Sequence, residues 1–262
     1  MKKNLKLLYF SPTDTTKKIV TSIANSIDSD FIEYDITLPQ NRTKPISFTK
    51  DDLVIIGVPT YAGRVPKILN DYFDRISASE TLAVFIVTYG NRAYEDALLE
   101  LKDIFTAKGF IGLAAGAFVA EHSSTKELAT GRPDVNDLSI CMSFGEEIKN
   151  RISKFSSVRE INDLNVPGEF PYVVKPAMPP MAPVTENSCN SCGICAKHCP
   201  TGAISLTNFK EVDANKCLRC CSCIRRCPVS AKEITHEAYV KFHDMLITNF
   251  SSKRCEPELF IG

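Results

Sequence analysis

Two copies of one cysteine run, set 28 residues apart, constrain this 262-residue chain more than any other feature. In each run three cysteines stand three residues apart, and a fourth follows four residues later, directly before a proline. This spacing is typical of bacterial [4Fe–4S] ligation, in which one tight loop holds three corners of a cubane. The runs are Cys189, Cys192, Cys195 and Cys199, followed by Cys217, Cys220, Cys223 and Cys227.

The two runs predict two clusters that exchange their fourth ligands, because the last cysteine of each run lies beyond a turn. Cluster I is expected on Cys189, Cys192, Cys195 and Cys227, and cluster II on Cys217, Cys220, Cys223 and Cys199. Zinc and disulfides are the alternatives. Structural zinc commonly uses cysteine pairs separated by a longer loop, and a disulfide framework suits a small secreted chain, so both are disfavoured.

The cysteine runs belong to a longer internal repeat. The same 28-residue offset aligns Ala203 with Ala231, which indicates a duplication. This stretch resembles the bacterial-type two-cluster ferredoxins, in which proline also follows the last cysteine, as Pro200 and Pro228 do here.

Three further cysteines lie outside the runs. Cys221 adjoins Cys220, so we expect it to pack against or tune cluster II. Cys141 and Cys255 are expected to behave as small buried hydrophobic residues. Eleven cysteines without an export signal favour a reducing cytoplasm, and two clusters favour an anaerobic organism.

The length and patterning of the chain predict four regions. Residues 1–155 alternate apolar strand-like runs with amphipathic segments, which is typical of a parallel α/β sheet. Residues 156–186 contain six prolines and are expected to form an extended linker. Residues 187–231 form the predicted small α+β cluster domain, and residues 232–262 a C-terminal helix, over 233–250, and a tail.

Five strands and four helices are expected in the first region. The strands are predicted over residues 5–10, 31–36, 53–59, 82–89 and 110–119. The helices are predicted over residues 15–27, 66–76, 93–108 and 135–155. This succession matches the flavodoxin-like sheet order 2-1-3-4-5, in which ligands bind at the carboxyl ends of the strands.

The loop after the first strand is rich in hydroxyl groups. Four hydroxyls within six residues open a predicted helix, and they belong to Ser11, Thr13, Thr15 and Thr16. Free N–H groups and the positive end of the helix dipole favour an anion there, so the loop is a predicted phosphate site. The alternative is an ordinary helix cap, for which Ser and Thr are common.

Two further loops, after the third and fourth strands, each combine a tyrosine with a glycine. Such loops allow a flat ring to approach the backbone closely. The first loop contains Thr60, Tyr61, Ala62 and Gly63, and the second contains Thr88, Tyr89, Gly90, Asn91, Arg92 and Tyr94.

With these three loops the first region resembles the flavodoxins. Their phosphate loop has a Ser/Thr-x-Thr-Gly-x-Thr pattern, which Ser11, Thr13 and Thr16 match, while Asp14 replaces the glycine. The resemblance implies FMN, with the two tyrosine loops on either side of its isoalloxazine ring. The chain has no Trp, so tyrosines would replace the tryptophan that many flavodoxins stack on the flavin. As a whole, the chain resembles a flavodoxin–ferredoxin fusion.

The segment after the fifth strand contains two candidate catalytic residues. His122 is a candidate proton donor near the flavin, since the unperturbed pKa of histidine is about 6.5. Arg132 is a candidate partner of a substrate anion or of the linker. For each residue the alternative is a place on the surface without a role in chemistry.

The net charge is zero, but residues 187–231 carry six basic side chains against two acidic ones. This excess either compensates the negative clusters or, through Arg219, Arg225 and Arg226, attracts an acidic redox partner such as a ferredoxin. The basic residues lie between the cluster ligands and do not form a nucleic-acid binding pattern. No apolar run is long enough for a membrane helix.

Together these features predict an iron–sulfur flavoprotein that relays electrons between a low-potential ferredoxin-type partner and FMN through two [4Fe–4S] clusters. Clusters pass single electrons, whereas a flavin exchanges one or two. Two functions remain open. A carrier would expose the flavin edge to a protein partner, whereas an FMN-dependent reductase of a small-molecule acceptor would enclose a pocket beside the flavin.

Overall fold

The computed structural model describes residues 3–173, 176 and 178–262. Residues 1 and 2 of the predicted first region and residues 174, 175 and 177 of the predicted linker lie outside the described residues. Within the described ranges, no helix is long and apolar enough to cross a membrane. Following the predicted boundaries, we call residues 3–155 the sheet domain and residues 187–231 the cluster domain.

Ten strands and seven α-helices occur in the described residues. The strands are β1 (Asn4–Tyr9), β2 (Phe31–Asp35), β3 (Ile46–Phe48), β4 (Asp52–Pro59), β5 (Ile76–Ala78), β6 (Thr81–Tyr89), β7 (Phe110–Val119), β8 (Val184–Thr185), β9 (Lys232–Glu233) and β10 (Glu258–Ile261). The helices are α1 (Thr15–Ile27), α2 (Asn70–Phe73), α3 (Ala97–Thr106), α4 (Val135–Lys154), α5 (Ile194–Lys197), α6 (Ser222–Arg225) and α7 (Glu237–Phe250).

The sheet domain is built on a six-stranded sheet in the order β10-β7-β6-β4-β1-β2, in which the C-terminal segment supplies the edge strand β10. The strands β2, β1, β4, β6 and β7 are parallel, and β10 is antiparallel to β7 at the edge. Helices α1 and α4 cover one face of the sheet, and α3 covers the other. Because both faces are covered, all nine residues of β6 are buried, which explains its continuous apolar sequence.

The structure departs from several predicted elements. The C-terminal helix expected over 233–250 begins only at Glu237, after strand β9. The helix expected over 66–76 is a 3-10 turn (Lys67–Leu69), the four-residue helix α2 and strand β5. The helix expected over 93–108 begins only at Ala97, because Glu95 has a positive φ of 47°. The predicted tail contains β10, a short edge strand whose four residues are too few to show a pattern in the sequence.

The proline-rich segment lies along the sheet domain. The Tyr172 hydroxyl donates to Asp103 Oδ2 at 2.5 Å, and the Glu169 N–H donates to Asp96 Oδ1 at 3.0 Å. Leu164 is buried in the sheet-domain core. These contacts hold the segment against α3 and its N-terminal turn.

The cluster domain has a backbone repeat that matches the sequence repeat. Three pairs of residues separated by 28 positions share a left-handed backbone conformation, and they are Ser191 with Arg219, Gly193 with Cys221, and Gly202 with Ser230. Gly193 and Cys221 are the N-caps of α5 and α6. Cys221 therefore occupies a position that glycine fills in the first half of the repeat, at some cost in strain.

Candidate functional site

The eight cysteines of the two runs divide between two cavities. The cluster I cavity is lined by Cys189, Cys192, Cys195 and Cys227. The cluster II cavity is lined by Cys199, Cys217, Cys220 and Cys223, together with Cys221 from outside the runs. The fourth cysteine of each run therefore lies with the first three of the other run.

The donor set of each cavity fits a [4Fe–4S] cluster. Within the described ranges, no three or more His, Cys, Asp or Glu side chains are placed to bind a single metal ion. A cubane offers each thiolate a separate iron, so its ligands surround a space and do not converge on one point. The eleven cysteines, all of them described, form no disulfide. Four free thiols around a cavity fit a cubane better than a tetrahedral zinc ion.

The fourth cysteine of each run accepts a hydrogen bond from the backbone. The Ala203 N–H donates to Cys199 Sγ at 3.3 Å, and the Ala231 N–H donates to Cys227 Sγ at 3.1 Å. The two alanines are the pair aligned by the sequence repeat. Hydrogen bonds to cysteine sulfur are among the features that set the reduction potential of a cluster.

A third and larger pocket lies where the carboxyl ends of β1, β4, β6 and β7 meet. It brings together eleven residues that the sequence singled out, namely Thr13, Thr15, Thr60, Tyr61, Ala62, Gly63, Thr88, Tyr89, Gly90, Arg92 and His122. These residues converge because parallel strands present their carboxyl ends at one edge of the sheet. We call this space the sheet-end pocket.

The loop before α1 leaves hydrogen-bond donors free at one end of this pocket. Asp14, the N-cap of α1, has a φ of 65° and makes no capping bond with its side chain. Aspartate tolerates this left-handed conformation better than most residues, so it can replace the glycine of the flavodoxin pattern. Among the described residues, none accepts a hydrogen bond from the N–H of Thr15 or Thr16. Free donors at the N-terminus of a 13-residue helix fit a phosphate group.

Two of the predicted phosphate-loop residues do not line the sheet-end pocket. Ser11 Oγ accepts from the Lys17 N–H at 3.0 Å, and the Ser11 N–H donates to Thr37 Oγ1 at 2.9 Å. Thr16 Oγ1 lies 2.7 Å from Thr88 Oγ1 in a buried contact. Ser11 and Thr16 therefore hold the loop against the sheet and leave Thr13 and Thr15 to face the pocket.

The tyrosine loops supply an unpaired polar atom and close backbone contacts. Thr60 Oγ1 is buried and has no hydrogen-bond partner among the described residues, so a bound ligand would satisfy it. Burial raises the pKa of Tyr61 well above its ordinary value. A Cβ at Gly90 would lie 2.3 Å from His122 Cδ2, so only glycine allows the imidazole to lie against this backbone.

His122 is held as a neutral imidazole. Burial, with smaller contributions from His243, Arg225 and Arg92, lowers its pKa to about 4. Its Nδ1 accepts a hydrogen bond from the Ser124 N–H at 3.3 Å, which leaves the proton of the neutral ring on Nε2. At neutral pH the ring can donate a hydrogen bond but is not charged, so it is not poised to act as an acid in the way the sequence suggested.

Asn91 and Tyr94 face the C-terminal segment. Asn91 is buried, and its side chain donates to the carbonyl oxygen of Lys253 at 2.7 Å and accepts from the Cys255 N–H at 3.1 Å. The Tyr94 hydroxyl donates to Glu258 Oε2 at 2.7 Å. Neither residue lines the sheet-end pocket. Both fix the chain that follows α7 against the sheet domain.

Arg132 also lies outside the sheet-end pocket. Its guanidinium is buried and forms an ion pair with Asp137, in the first turn of α4. It also donates to the carbonyl oxygen of Cys255. These partners satisfy the side chain within the fold and explain its burial, so the structure does not support a catalytic role for it.

The three cysteines outside the runs differ in their surroundings. Cys141 is fully buried under the sheet, and Cys255 is half-buried beside Asn91. Cys221 is buried, with its Sγ 3.2 Å from the Tyr239 hydroxyl. Cys221 thus connects the loop of cluster II to helix α7.

The cluster domain forms part of the sheet-end pocket. Leu218 and Arg219 line both this pocket and the cluster II cavity, and Cys220 follows them directly. Tyr239 and Phe242 of α7 close the pocket from the side, together with Met178. Of the residues described, none lines both this pocket and the cluster I cavity. The cluster II cavity is therefore the inner one and the cluster I cavity the outer one.

Two of the arginines weighed as a docking patch bind within the chain. Arg225 forms an ion pair with Glu121 and donates to the carbonyl oxygens of Ser123, at 3.0 Å, and Thr125, at 2.8 Å. Arg226 donates to Asp14 Oδ2 at 2.5 Å. Arg225 and Arg226 are thus bound within the chain, whereas Arg219 lines the sheet-end pocket and the cluster II cavity.

The sequence did not point to Tyr239, Phe242 or Met178 as pocket residues. They come from a predicted helix and linker, which carry no binding motif, and reach the pocket only through tertiary packing. Leu218 and Arg219 had a usable signal, because they stand between two predicted cluster ligands and must lie close to a cluster.

One stretch of the chain matches a known protein family. Residues 182–205 match the family model of the 4Fe-4S binding domain. No curated protein matches the chain. Three solved structures are similar to part of the chain, and the first is an archaeal flavodoxin with 14% identity and a TM-score of 0.39, for which the match covers 57% of this chain and 99% of that chain. Flavodoxin 1 from Bacillus cereus has 19% identity and a TM-score of 0.42, and the match covers 59% of this chain and 100% of that chain. An apo NADH:FMN oxidoreductase has 15% identity and a TM-score of 0.42, and the match covers 60% of this chain and 94% of that chain. Identities below 20% and TM-scores below 0.5 do not establish a shared activity. By its own strand order and by the matched segment, the chain joins a flavodoxin-like α/β sheet to a 4Fe–4S binding domain.

Proposed function

We propose that the chain is an iron–sulfur flavoprotein in which two [4Fe–4S] clusters pass electrons to FMN in the sheet-end pocket. The observation that carries this proposal is the shared wall formed by Leu218 and Arg219. Cys220, a proposed ligand of cluster II, directly follows these two residues in the chain. Electron transfer between two cofactors requires such proximity.

The residues of the sheet-end pocket suit the two ends of FMN. Thr13 and Thr15, with the free N–H groups at the start of α1, would hold the phosphate. The two tyrosine loops would flank the ring, and Thr60 Oγ1 would gain a hydrogen-bond partner. When bound, FMN supplies chemistry of one or two electrons.

The different exposure of the two proposed cluster sites supports one direction of electron flow. Cys192 of cluster I is exposed, whereas Cys220 of cluster II is buried beside the pocket. An external one-electron donor, such as a ferredoxin, would therefore reach cluster I first. The electron would then pass to cluster II and on to the flavin site.

A reductase of a small-molecule acceptor is the second candidate. The partial cover of the pocket by Met178, Tyr239 and Phe242 favours it, because a carrier needs an open flavin edge. The protonated Nε2 of neutral His122 supplies a hydrogen-bond donor to an acceptor bound there. Arg219 adds a positive charge to the same space.

The test is anaerobic purification followed by a reductive titration that is monitored by visible and EPR spectroscopy. We expect about eight irons and one FMN per chain. Flavin reduction in two separate one-electron steps would favour the carrier, and a single two-electron step would favour the reductase. A chain that binds no flavin would contradict both functions, and about four irons would contradict the two-cluster assignment.

A further inference from the structure

Lys232 carries a buried positive charge beside cluster I. The residue is only 3% exposed and lines the cluster I cavity with Cys195 and Cys227. Its Nζ donates to Thr185 Oγ1 at 2.7 Å and to the carbonyl oxygen of Phe209 at 2.9 Å. No acidic side chain of the described residues forms an ion pair with it. A buried ammonium without a counter-ion is costly, and a negatively charged cluster would offset that cost.

The sequence repeat provides an internal reference for this charge. The residue 28 positions before Lys232 is Ile204, which is also buried and lies against the cluster II cavity. Both follow an alanine whose N–H donates to the fourth cysteine of its run. The two positions are therefore alike in backbone and differ in charge, and Arg219, the cation that lines the cluster II cavity, is less buried than Lys232.

We infer that Lys232 makes cluster I the more easily reduced of the two clusters. Reduction adds one negative charge to a cluster while the one-electron donor is oxidised. A nearby cation in a low-dielectric environment stabilises the more negative, reduced form of the cluster. This effect weakens as the distance between the cation and the cluster grows. The inference depends on the proposed function only in that both cavities hold clusters.

The difference in reduction potential would give cluster I, the outer cluster, a different role from cluster II. Cluster I lies away from the sheet-end pocket and would hold the first electron from the donor until the pocket oxidises cluster II, when that electron would pass on to cluster II. Cluster II, with the lower potential, would exchange electrons with the pocket. The chain would then hold one electron in reserve when a two-electron acceptor arrives.

The first experiment is an EPR-monitored redox titration of the anaerobic full-length holoprotein. A Cys192→Ser variant identifies the signal of cluster I, because only that signal should change. We expect cluster I to be reduced at the higher potential. Reduction of cluster II first would overturn the inference, whatever any lysine variant does.

The second experiment removes the charge with Lys232→Met. At the wild-type midpoint of cluster I, the ratio of reduced to oxidised cluster should fall at least tenfold, which corresponds to a lowering of about 59 mV for one electron. Ile204→Met is the matched control, since it places the same side chain at the related position of cluster II. In that variant, the ratio of reduced to oxidised cluster II at its wild-type midpoint should change less than twofold.

Further variants separate charge from packing. Lys232→Gln keeps a hydrogen-bond donor without the charge and should reproduce the fall, whereas Lys232→Arg should largely retain the wild-type midpoint. An unchanged midpoint in Lys232→Met or Lys232→Gln with full iron content would refute the inference. A low iron content in the wild type would instead contradict the proposed function, and loss of FMN alone would leave the role of Lys232 standing.

Discussion

The sheet domain and the cluster domain differ in what stabilises them. The sheet domain buries apolar side chains on both faces of a central strand, β6. The apolar groups in and around the cluster domain are small, and they consist of Met181, Cys221 and Ile234 in one group and Cys195, Ala196 and Ile204 in the other. So small a core does not offset the entropy of ordering the chain, and metal binding must supply much of the folding free energy.

The strongest test of this difference is removal of the iron. We expect a chelator under anaerobic, reducing conditions to unfold residues 187–231 and to leave the sheet intact. Hydrogen exchange monitored by mass spectrometry would then show lost protection around α5 and α6 and retained protection in β6. A cluster domain that stays protected without iron would show that its apolar groups suffice.

A large-to-small change in the sheet core is the reciprocal test. Phe85 is fully buried in β6, so Phe85→Ala should lower the free energy of unfolding by about 3–5 kcal/mol. The exposed Ile32 on β2 provides the control, and Ile32→Ala should stay within about 0.5 kcal/mol of wild type. Denaturant unfolding measures both. Equal effects at the two positions would contradict the assignment of the core.

The contact between the domains is tested by Arg225→Met. The change leaves Glu121 and several carbonyl groups without their hydrogen-bond donor, so we expect the free energy of unfolding to fall by about 2–3 kcal/mol. Faster hydrogen exchange in residues 121–125 is the measurement. Lys197→Met, which removes an exposed cation on α5, should have no such effect.

The phosphate end of the sheet-end pocket is tested by replacing Thr13 and Thr15 together with Ala. Loss of two hydroxyl donors should weaken FMN binding by about 1–3 kcal/mol, or roughly ten- to a hundredfold. Fluorescence titration of the flavin-free protein measures the affinity. The exposed Thr43→Ala is the control, and unchanged affinity in the double variant would place the phosphate elsewhere.

The smallest expected effect is the pH dependence that His122 contributes. Its folded-state pKa of about 4 lies below that of an unfolded histidine, so the unfolded chain binds more protons between these values. Stability should therefore fall as the pH is lowered from about 7 to 5, by about 1–2 kcal/mol. His122→Asn should lose this part of the slope in denaturant unfolding. An identical slope in both proteins would mean that the folded-state pKa is not depressed.

Much of this arrangement could be predicted from contiguous residues. The strand runs and the Thr15–Ile27 helix follow from hydrophobic periodicity, which is a local property. The grouping of eight cysteines in two cavities follows the spacing of the runs. Helix starts were less predictable, since a backbone turn such as that at Glu95 delays the helix without changing its apolar pattern.

The sequence by itself determined which residues could bind cofactors, whereas the tertiary structure decided how they are used. Thr13 and Thr16 are alike in sequence, but only Thr13 faces the pocket, because Thr16 packs against Thr88 on a neighbouring strand. Arg225 lies among cluster ligands in the chain yet fastens the two domains together. The charge of Lys232 matters because folding buries it. Partners distant in the chain and the exclusion of water exist only after the strands and loops have met, so no local pattern records them.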